Sequence, residues 1–473
     1  MRKALVLAAV VAIVAGCGHA GPSGSGPVSA ETWLSNTLQG QKVGYSMYRF
    51  NQLPEGYRFE SFIKMTVAMG GKEQQVQSRS DANTAPDLTL KDFSFTFSSQ
   101  NRSFTVKGRV AGSTLLVMAP GDTAERSIKL TGPVYPAAAL GRVVVLRKFK
   151  KDSTYKVPVF DATVMGVNLA EVKVLGREKV TAGGHEYDAL KFTTKLAKTD
   201  VTTWADDKGM AIVETSPPGI RSERTTADAV LKAEPEGAKF DVMTMFRVPV
   251  DTTIPEGANV SRLKLELSGV DPKEYDLTGP GQQVTSTSPY VVEIKTPDLP
   301  PGPVALPVTE QTDFLKPSIT IQSDAPEVKA KLNEAIGKEK DGVAATRKLV
   351  SWVFTVVKKE PTASFPNALD VLKTMKGDCN EHAVLFAALA RAAGIPTKTA
   401  VGLLYMNRAF YYHAWNEVYL GKWIPVDATF GECPASALHL KLAEGELSEQ
   451  AEILGLVGKI GIKVKEFGLA PAK

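Results

Sequence analysis

From Trp33 to about Lys232, apolar and polar residues alternate in short runs. Examples are Gly44–Phe50, Tyr57–Ile63, Phe93–Phe97, Ser103–Lys107 and Thr114–Met118. A period of two buries one face of a strand and solvates the other, which predicts an extended antiparallel sheet. Turn residues punctuate the runs at Gly70-Gly71, Pro120-Gly121-Asp122, Gly183-Gly184 and Asp207-Lys208-Gly209. A second, smaller β module is expected over 233–310, where Phe240–Val248 and Arg262–Leu267 alternate and Pro297–Pro303 closes the segment. From about 311 the period becomes helical. Pro326 opens an amphipathic helix through Ile336, and Leu349, Trp352, Val353 and Val356 share one face of the next. The tail, 444–468, reads as helix and short apolar runs, and no internal repeat is found.

The segment Gly377-Asp378-Cys379-Asn380-Glu381-His382 precedes an almost wholly apolar stretch from Ala383. Asp378 is placed to cap a helix and Glu381 to reach back as in a capping box, so Cys379 falls at the first helical position. Gly394 suits the left-handed residue after the helix and Pro396 blocks extension. Thr397–Met406 and Ala409–Val418 read as strands joined by the turn Asn407-Arg408. A three-residue loop, Tyr419-Leu420-Gly421, would pair Val418 with Lys422, and His413 with Asp427.

Composition adds limits. The chain has 473 residues, 43% hydrophobic and 23% charged, with a net charge of +5 and no Lys/Arg run interleaved with aromatics. That describes globular domains and gives no nucleic-acid footprint. Arg2-Lys3, the apolar Ala4–Val14 and the small Ala15-Gly16 form a secretory leader, and no later run reaches the ~18 apolar residues of a membrane helix. Val14-Ala15-Gly16-Cys17 resembles the bacterial lipoprotein lipobox. That resemblance implies acylation of Cys17, a membrane contact through an N-terminal lipid anchor, and, because Gly18 follows, sorting to the outer membrane facing the periplasm. Residues 18–30 are rich in Gly, Ser and Pro and read as a tether.

The remaining cysteines are Cys379 and Cys433. They are open to two readings, a structural disulfide or a reactive thiol beside a free one. No CxxC, HExxH or Cys/His cluster is present, so no metal or cofactor is expected. The chemistry gathers instead on Cys379, His413 and Asp427. The positive end of a helix favours a thiolate. An imidazole takes its proton, and a carboxylate orients the imidazole. The Cys379 backbone N–H is a candidate oxyanion donor. His382, one turn from Cys379, reads as a structural neighbour, Trp415 as core or cleft wall, and Glu417 as a solvated or structural carboxylate. His19, His185 and His439 belong to no constellation.

Gly-Asp-Cys379-Asn-Glu-His, the helix ending Arg391-Ala-Ala-Gly-Ile-Pro396, His413-Ala-Trp-Asn-Glu-Val-Tyr and Trp423-Ile-Pro-Val-Asp427-Ala-Thr together resemble the transglutaminase-like superfamily over roughly 320–442. The resemblance implies a papain-like core with Cys379 as nucleophile, His413 as base and Asp427 as orienter. It implies hydrolysis or acyl transfer at an amide bond of a peptide or protein. The first β region resembles, by pattern, the curved sheets of envelope lipoproteins. The expected fold is multidomain, with β-rich N-terminal domains before an α+β papain-like transglutaminase core. Its parts are a signal peptide (1–16), a lipidated tether (17–30), an antiparallel β domain (31–232), a small β domain (233–310) and the transglutaminase-like domain (311–473). Two other functions remain open: a non-catalytic envelope binding protein, and a carrier of an apolar ligand in the first β domain.

Overall fold

The computed structural model describes residues 28–99, 102–232 and 241–470. The leader and Cys17 lie outside the described residues. The last three residues assigned to the tether belong to a strand that starts at Val28. The chain divides into two compact units after Asp241.

The first unit is one fifteen-stranded sheet, antiparallel except where Tyr135–Pro136 joins Thr154–Asp161 in parallel. Alternation sets its faces. In Leu90–Ser99, Phe93, Phe95 and Phe97 are buried while the residues between them are partly exposed. The sheet curls: Phe93 meets the ring of Phe160 at 4.6 Å although their strands lie near opposite ends of the strand order. The short helix Leu140–Leu146 seats Val143 and Val144 in the same core as Phe50, Phe59, Val159 and Val172. A cavity in this interior, bounded by Phe93, Phe95 and Phe160, measures only about 20 Å³. That volume holds about one water and no lipid.

Besides a short parallel ladder between Lys358–Lys359 and Lys376–Gly377, the second unit contains two larger sheets and a helical layer. The smaller sheet runs β3–β4–β2–β9, where β2 is Val260–Ser268, β3 Gln282–Thr287, β4 Tyr290–Lys295 and β9 Gly461–Leu469. This corrects two expectations. Beyond its expected helical turns at Leu447–Gln450 and Ala451–Leu456 the tail continues into a strand, and residues 242–310 share one compact unit with those that follow. One edge of β2 pairs with β4, and the other would be left with unpaired backbone groups had the chain's last strand not taken it, Leu263 opposite Phe467. Within the alternating run Phe240–Val248, the described residues before Val248 form no strand either. Val242, Met243 and Phe246 are the buried positions, a helical spacing, and Val242–Met245 forms a helical turn.

The helical layer comprises α1 (Pro326–Ile336), α2 (Gly342–Val356), α3 (Ala368–Thr374) and α4 (Cys379–Ala392). As its composition predicts, α4 is buried all round: Leu385 through Ala390 have no exposed surface. It packs on the larger sheet, formed by β1 (Val248–Pro249), β5 (Thr397–Met406), β6 (Ala409–Tyr419), β7 (Trp423–Val426) and β8 (His439–Glu444). The order is β1–β6–β5–β8, and β7 also pairs with β6. The β5–β6 hairpin closes at Asn407-Arg408, both in the left-handed region, as the sequence predicts.

Candidate active site

The site begins at the start of α4. Asp378 caps the helix, its Oδ1 accepting from the Asn380 N–H at 2.9 Å. Glu381 Oε2 accepts from the Asp378 N–H at 2.8 Å, completing the capping box. The other Glu381 oxygen accepts from the Ser364 hydroxyl. Gly377 permits this closure, because a Cβ there would lie 2.2 Å from the Glu381 Cβ. Cys379, at the first helical position, is buried with 3% of its surface exposed.

The thiol meets β6 at its edge. On the side of β6 away from β5, β1 pairs with Ala409 and Phe410, and β7 pairs with 416–419. Residues 411–415 have no strand partner on that side among the described residues. In this gap the Ala414 backbone N–H is placed to favour the Cys379 thiolate. The side chain before it in the chain is His413.

His413 Nε2 lies 2.7 Å from Asp427 Oδ2. The register differs from the expected one. The loop is Leu420-Gly421-Lys422, with Gly421 at its apex at φ +81°, so Tyr419 pairs with Trp423 and Asn416 with Val426. Strand pairing stops there. Asp427 begins a tight loop in which it exchanges backbone hydrogen bonds with Glu432 at 2.8 and 2.9 Å. Asp427 Oδ1 accepts from the Thr429 and Phe430 N–H groups at 2.7 and 3.3 Å. The two-residue change in register keeps Asp427 on the face of His413, so the diagonal neighbour does what the expected cross-strand partner was to do. With Nε2 donating to the carboxylate, the lone pair of a neutral His413 sits on Nδ1.

The sequence reading missed His439. Its Nε2 lies 3.0 Å from the same Oδ2 of Asp427, and its Nδ1 lies 3.0 Å from the Ser436 carbonyl oxygen. No local motif marks it. Pairing of β8 with β5, through a register shift at Val401/Gly402, carries it to the site.

With this geometry in view, residues 330–428 match the model of the transglutaminase-like superfamily. These residues form a transglutaminase-like domain. Kyphoscoliosis peptidase of Mus musculus is 27% identical over 147 residues, covering 27% of this chain and 21% of the relative. Kyphoscoliosis peptidase of Homo sapiens is 38% identical over 74 residues, covering 13% of this chain and 11% of the relative. The matched stretch therefore spans about a fifth or less of these relatives' length. Among solved structures, a candidate cysteine protease from Cytophaga hutchinsonii aligns over 45% of this chain and 86% of its own, at 19% identity and TM-score 0.30. A β-barrel-like protein from Brucella abortus aligns over 41% and 95%, at 14% identity and TM-score 0.35.

Electrostatics in the transglutaminase-like domain depart from the expected resting thiolate. Burial pushes the Cys379 thiol well up, the negative charge of Asp378 acts in the same sense, and the Ala414 N–H opposes both. Asp378 is itself held well above the usual carboxylate range by burial and by Glu381. The macrodipole at the start of α4 is thus outweighed by desolvation, and the thiol rests neutral. Burial would raise the Asp427 pKa, but His413 and His439 outweigh it and hold the carboxyl far below its usual range.

The other candidates take structural places. His382 is fully buried, its Nδ1 2.6 Å from the Asp378 carbonyl oxygen, and burial lowers its pKa. Trp415 is both core and wall, its ring 6.1 Å from His413 and 5.1 Å from His439. Glu417 is not solvated: it is buried 3.0 Å from Lys441 and 3.7 Å from Lys398. Cys379 and Cys433 are both free. Burial pushes the Cys433 thiol up to about 11, and it lines a separate cavity of about 970 Å³ together with Phe430 and Arg347.

Among the described residues, His413, Asp427 and His439 form the one trio whose ligand atoms, all within 4.8 Å of each other, have the types a metal takes. Their 2.7 and 3.0 Å contacts are hydrogen-bond lengths. Ligands about 2.0–2.2 Å from a tetrahedral zinc stand about 3.3 Å or more apart. The contacts therefore fit shared protons better than a shared metal.

Proposed function

We infer that the transglutaminase-like domain performs thiol-dependent hydrolysis or acyl transfer at an amide bond of a peptide or protein. The observation that carries this reading is the His413–Asp427 bond of 2.7 Å, which leaves Nδ1 as the base beside the strand edge that receives the Cys379 thiol. Because the thiol rests neutral, His413 removes its proton as sulfur attacks the carbonyl carbon, a general-base step rather than a stored ion pair. The Cys379 N–H, which has no intrahelical acceptor at its position, faces the developing oxyanion. His413 then returns the proton to the leaving amine, and a thioester remains. Water attacks it in hydrolysis, and a second amine attacks it in transfer, with His413 again accepting the proton.

Phe430 stands between the site and a neighbouring cavity, our candidate for the substrate cleft. Its ring is 5.3 Å from His413, and it lines the 970 Å³ cavity with Leu404, Tyr405 and Leu438. The relatives named as peptidases and the family match support a cysteine-protease-like activity in general terms. The leader and lipobox support a cell-envelope site, with Cys17 as the lipid attachment point. No helix among the described residues is long and apolar enough to cross a membrane.

The burial of Cys379 favours one rival, a binding protein that keeps the triad as architecture. Incubation with a dansyl-cadaverine-type amine and a periplasmic extract separates the readings. Labelled protein indicates transfer, and new fragments or ammonia indicate hydrolysis. The absence of all three contradicts the enzymatic reading.

A further inference from the structure

We propose that His439 is a buried imidazolium that shares the Asp427 carboxylate with His413, making it a fourth, positioning member of the Cys379–His413–Asp427 line. His439 Nδ1 faces the Ser436 carbonyl oxygen at 3.0 Å, and its Nε2 faces Asp427 Oδ2 at 3.0 Å. A carbonyl oxygen only accepts. Asp427 also only accepts, because it takes two backbone N–H groups on Oδ1 and two imidazoles on Oδ2, which fits an ionised carboxylate. A neutral imidazole has a single N–H, so one of its two contacts would set lone pair against lone pair in a fully buried place. A proton on each ring nitrogen removes the conflict.

The surroundings suit a cation. Asp427 and Glu432 face it from the loop after β7, and both favour its charged form. His413 faces it from β6, its ring 5.8 Å away. On the paired strand β5 the opposite residue is the apolar Leu404.

A cation on Oδ2 takes up part of the Asp427 charge. Asp427 then fixes His413 with Nε2 protonated and the lone pair on Nδ1, but stabilises a His413 cation less than an unshared carboxylate would. This matches a site in which burial favours the neutral thiol. The protonation of His439 rests on its hydrogen-bond contacts and charged neighbours, whereas its consequence for Cys379 reactivity rests on the thiol-nucleophile reading.

Two measurements test the parts separately. Long-range proton–nitrogen spectra of the full chain with ¹⁵N-labelled histidines, assigned with His439→Gln, report each ring. The expected result is two protonated nitrogens on His439 at about pH 6–7, where a free imidazole is titrating. A neutral-ring pattern at about pH 6, or a stoichiometric metal found in the same sample by elemental analysis, overturns the proposal. The second measurement is the pH profile of Cys379 alkylation by iodoacetamide. In His439→Gln, with folding verified by circular dichroism, the acid limb moves upward by roughly one pH unit, a tenfold change at fixed pH. A profile that is only lowered in parallel shows a purely structural role and overturns the positioning claim.

Discussion

His413 Nε2 and Asp427 Oδ2 meet at 2.7 Å although the two residues are not opposite each other on paired strands. Asp427 is presented by a loop that its own carboxylate braces, through the N–H groups of Thr429 and Phe430. Position and charge of this carboxylate are therefore separable. Asp427→Asn keeps an oxygen for both N–H groups but loses the charge that fixes the His413 tautomer. Turnover should fall by about 10²-fold or more while the fold survives. Steady-state rates beside a thermal melt check both halves.

Gly377→Ala should act through the helix cap. The added Cβ runs into Glu381, whose backbone and side chain are already committed to Asp378 and Ser364. A loss of about 1–3 kcal/mol is expected from such overpacking. Urea unfolding should show it, and the rate of Cys379 alkylation should change with it because the cap sets the thiol's position.

The stability of the protein should fall as the medium becomes alkaline, and His439 sets the sign. Its folded pKa is raised, since the bonds to Asp427 and the charge of Glu432 outweigh burial. Its contribution is then complete below the unfolded value near 6.5 and is lost as pH rises through the folded value. Calorimetric melts at a series of pH values should show a decline above neutrality that is smaller in His439→Gln. Equal slopes would mean that His439 is not charged in the folded state.

Glu417 should matter for stability and not for chemistry. It is buried between Lys441 and Lys398, and Glu444 bonds both lysines as well. Glu417→Gln leaves those cations with one carboxylate between them and should cost about 2 kcal/mol. The pH profile of Cys379 alkylation should keep its shape.

Local features of the site were legible in the sequence. The cap at Asp378, the burial of α4 and the Asn407-Arg408 hairpin all depend on residues a few positions apart, and each appears as predicted. Features decided by distant pairing were not legible. His439 reaches Asp427 only because β8 joins β5 through a register shift, and Leu263 pairs with Phe467 across nearly the whole second unit. The loop predicted at Tyr419-Leu420-Gly421 forms one residue later, at Leu420-Gly421-Lys422. Parity still put Asp427 on the right face, so the partner was found by a register that does not exist. The charge state of the thiol was not legible for another reason: helix polarity can be read from sequence, whereas the desolvation that opposes it depends on the finished packing around Cys379.

The central claim is that Cys379 is a nucleophile switched on by His413. Peptide mapping by mass spectrometry after brief iodoacetamide treatment of the folded, reduced protein tests it most directly. Cys379 should be modified ahead of Cys433, and His413→Ala should slow that modification at least tenfold, by about the contribution of a positioned base. Resistance of Cys379 in the wild-type protein, or an unchanged rate in His413→Ala, would contradict the account.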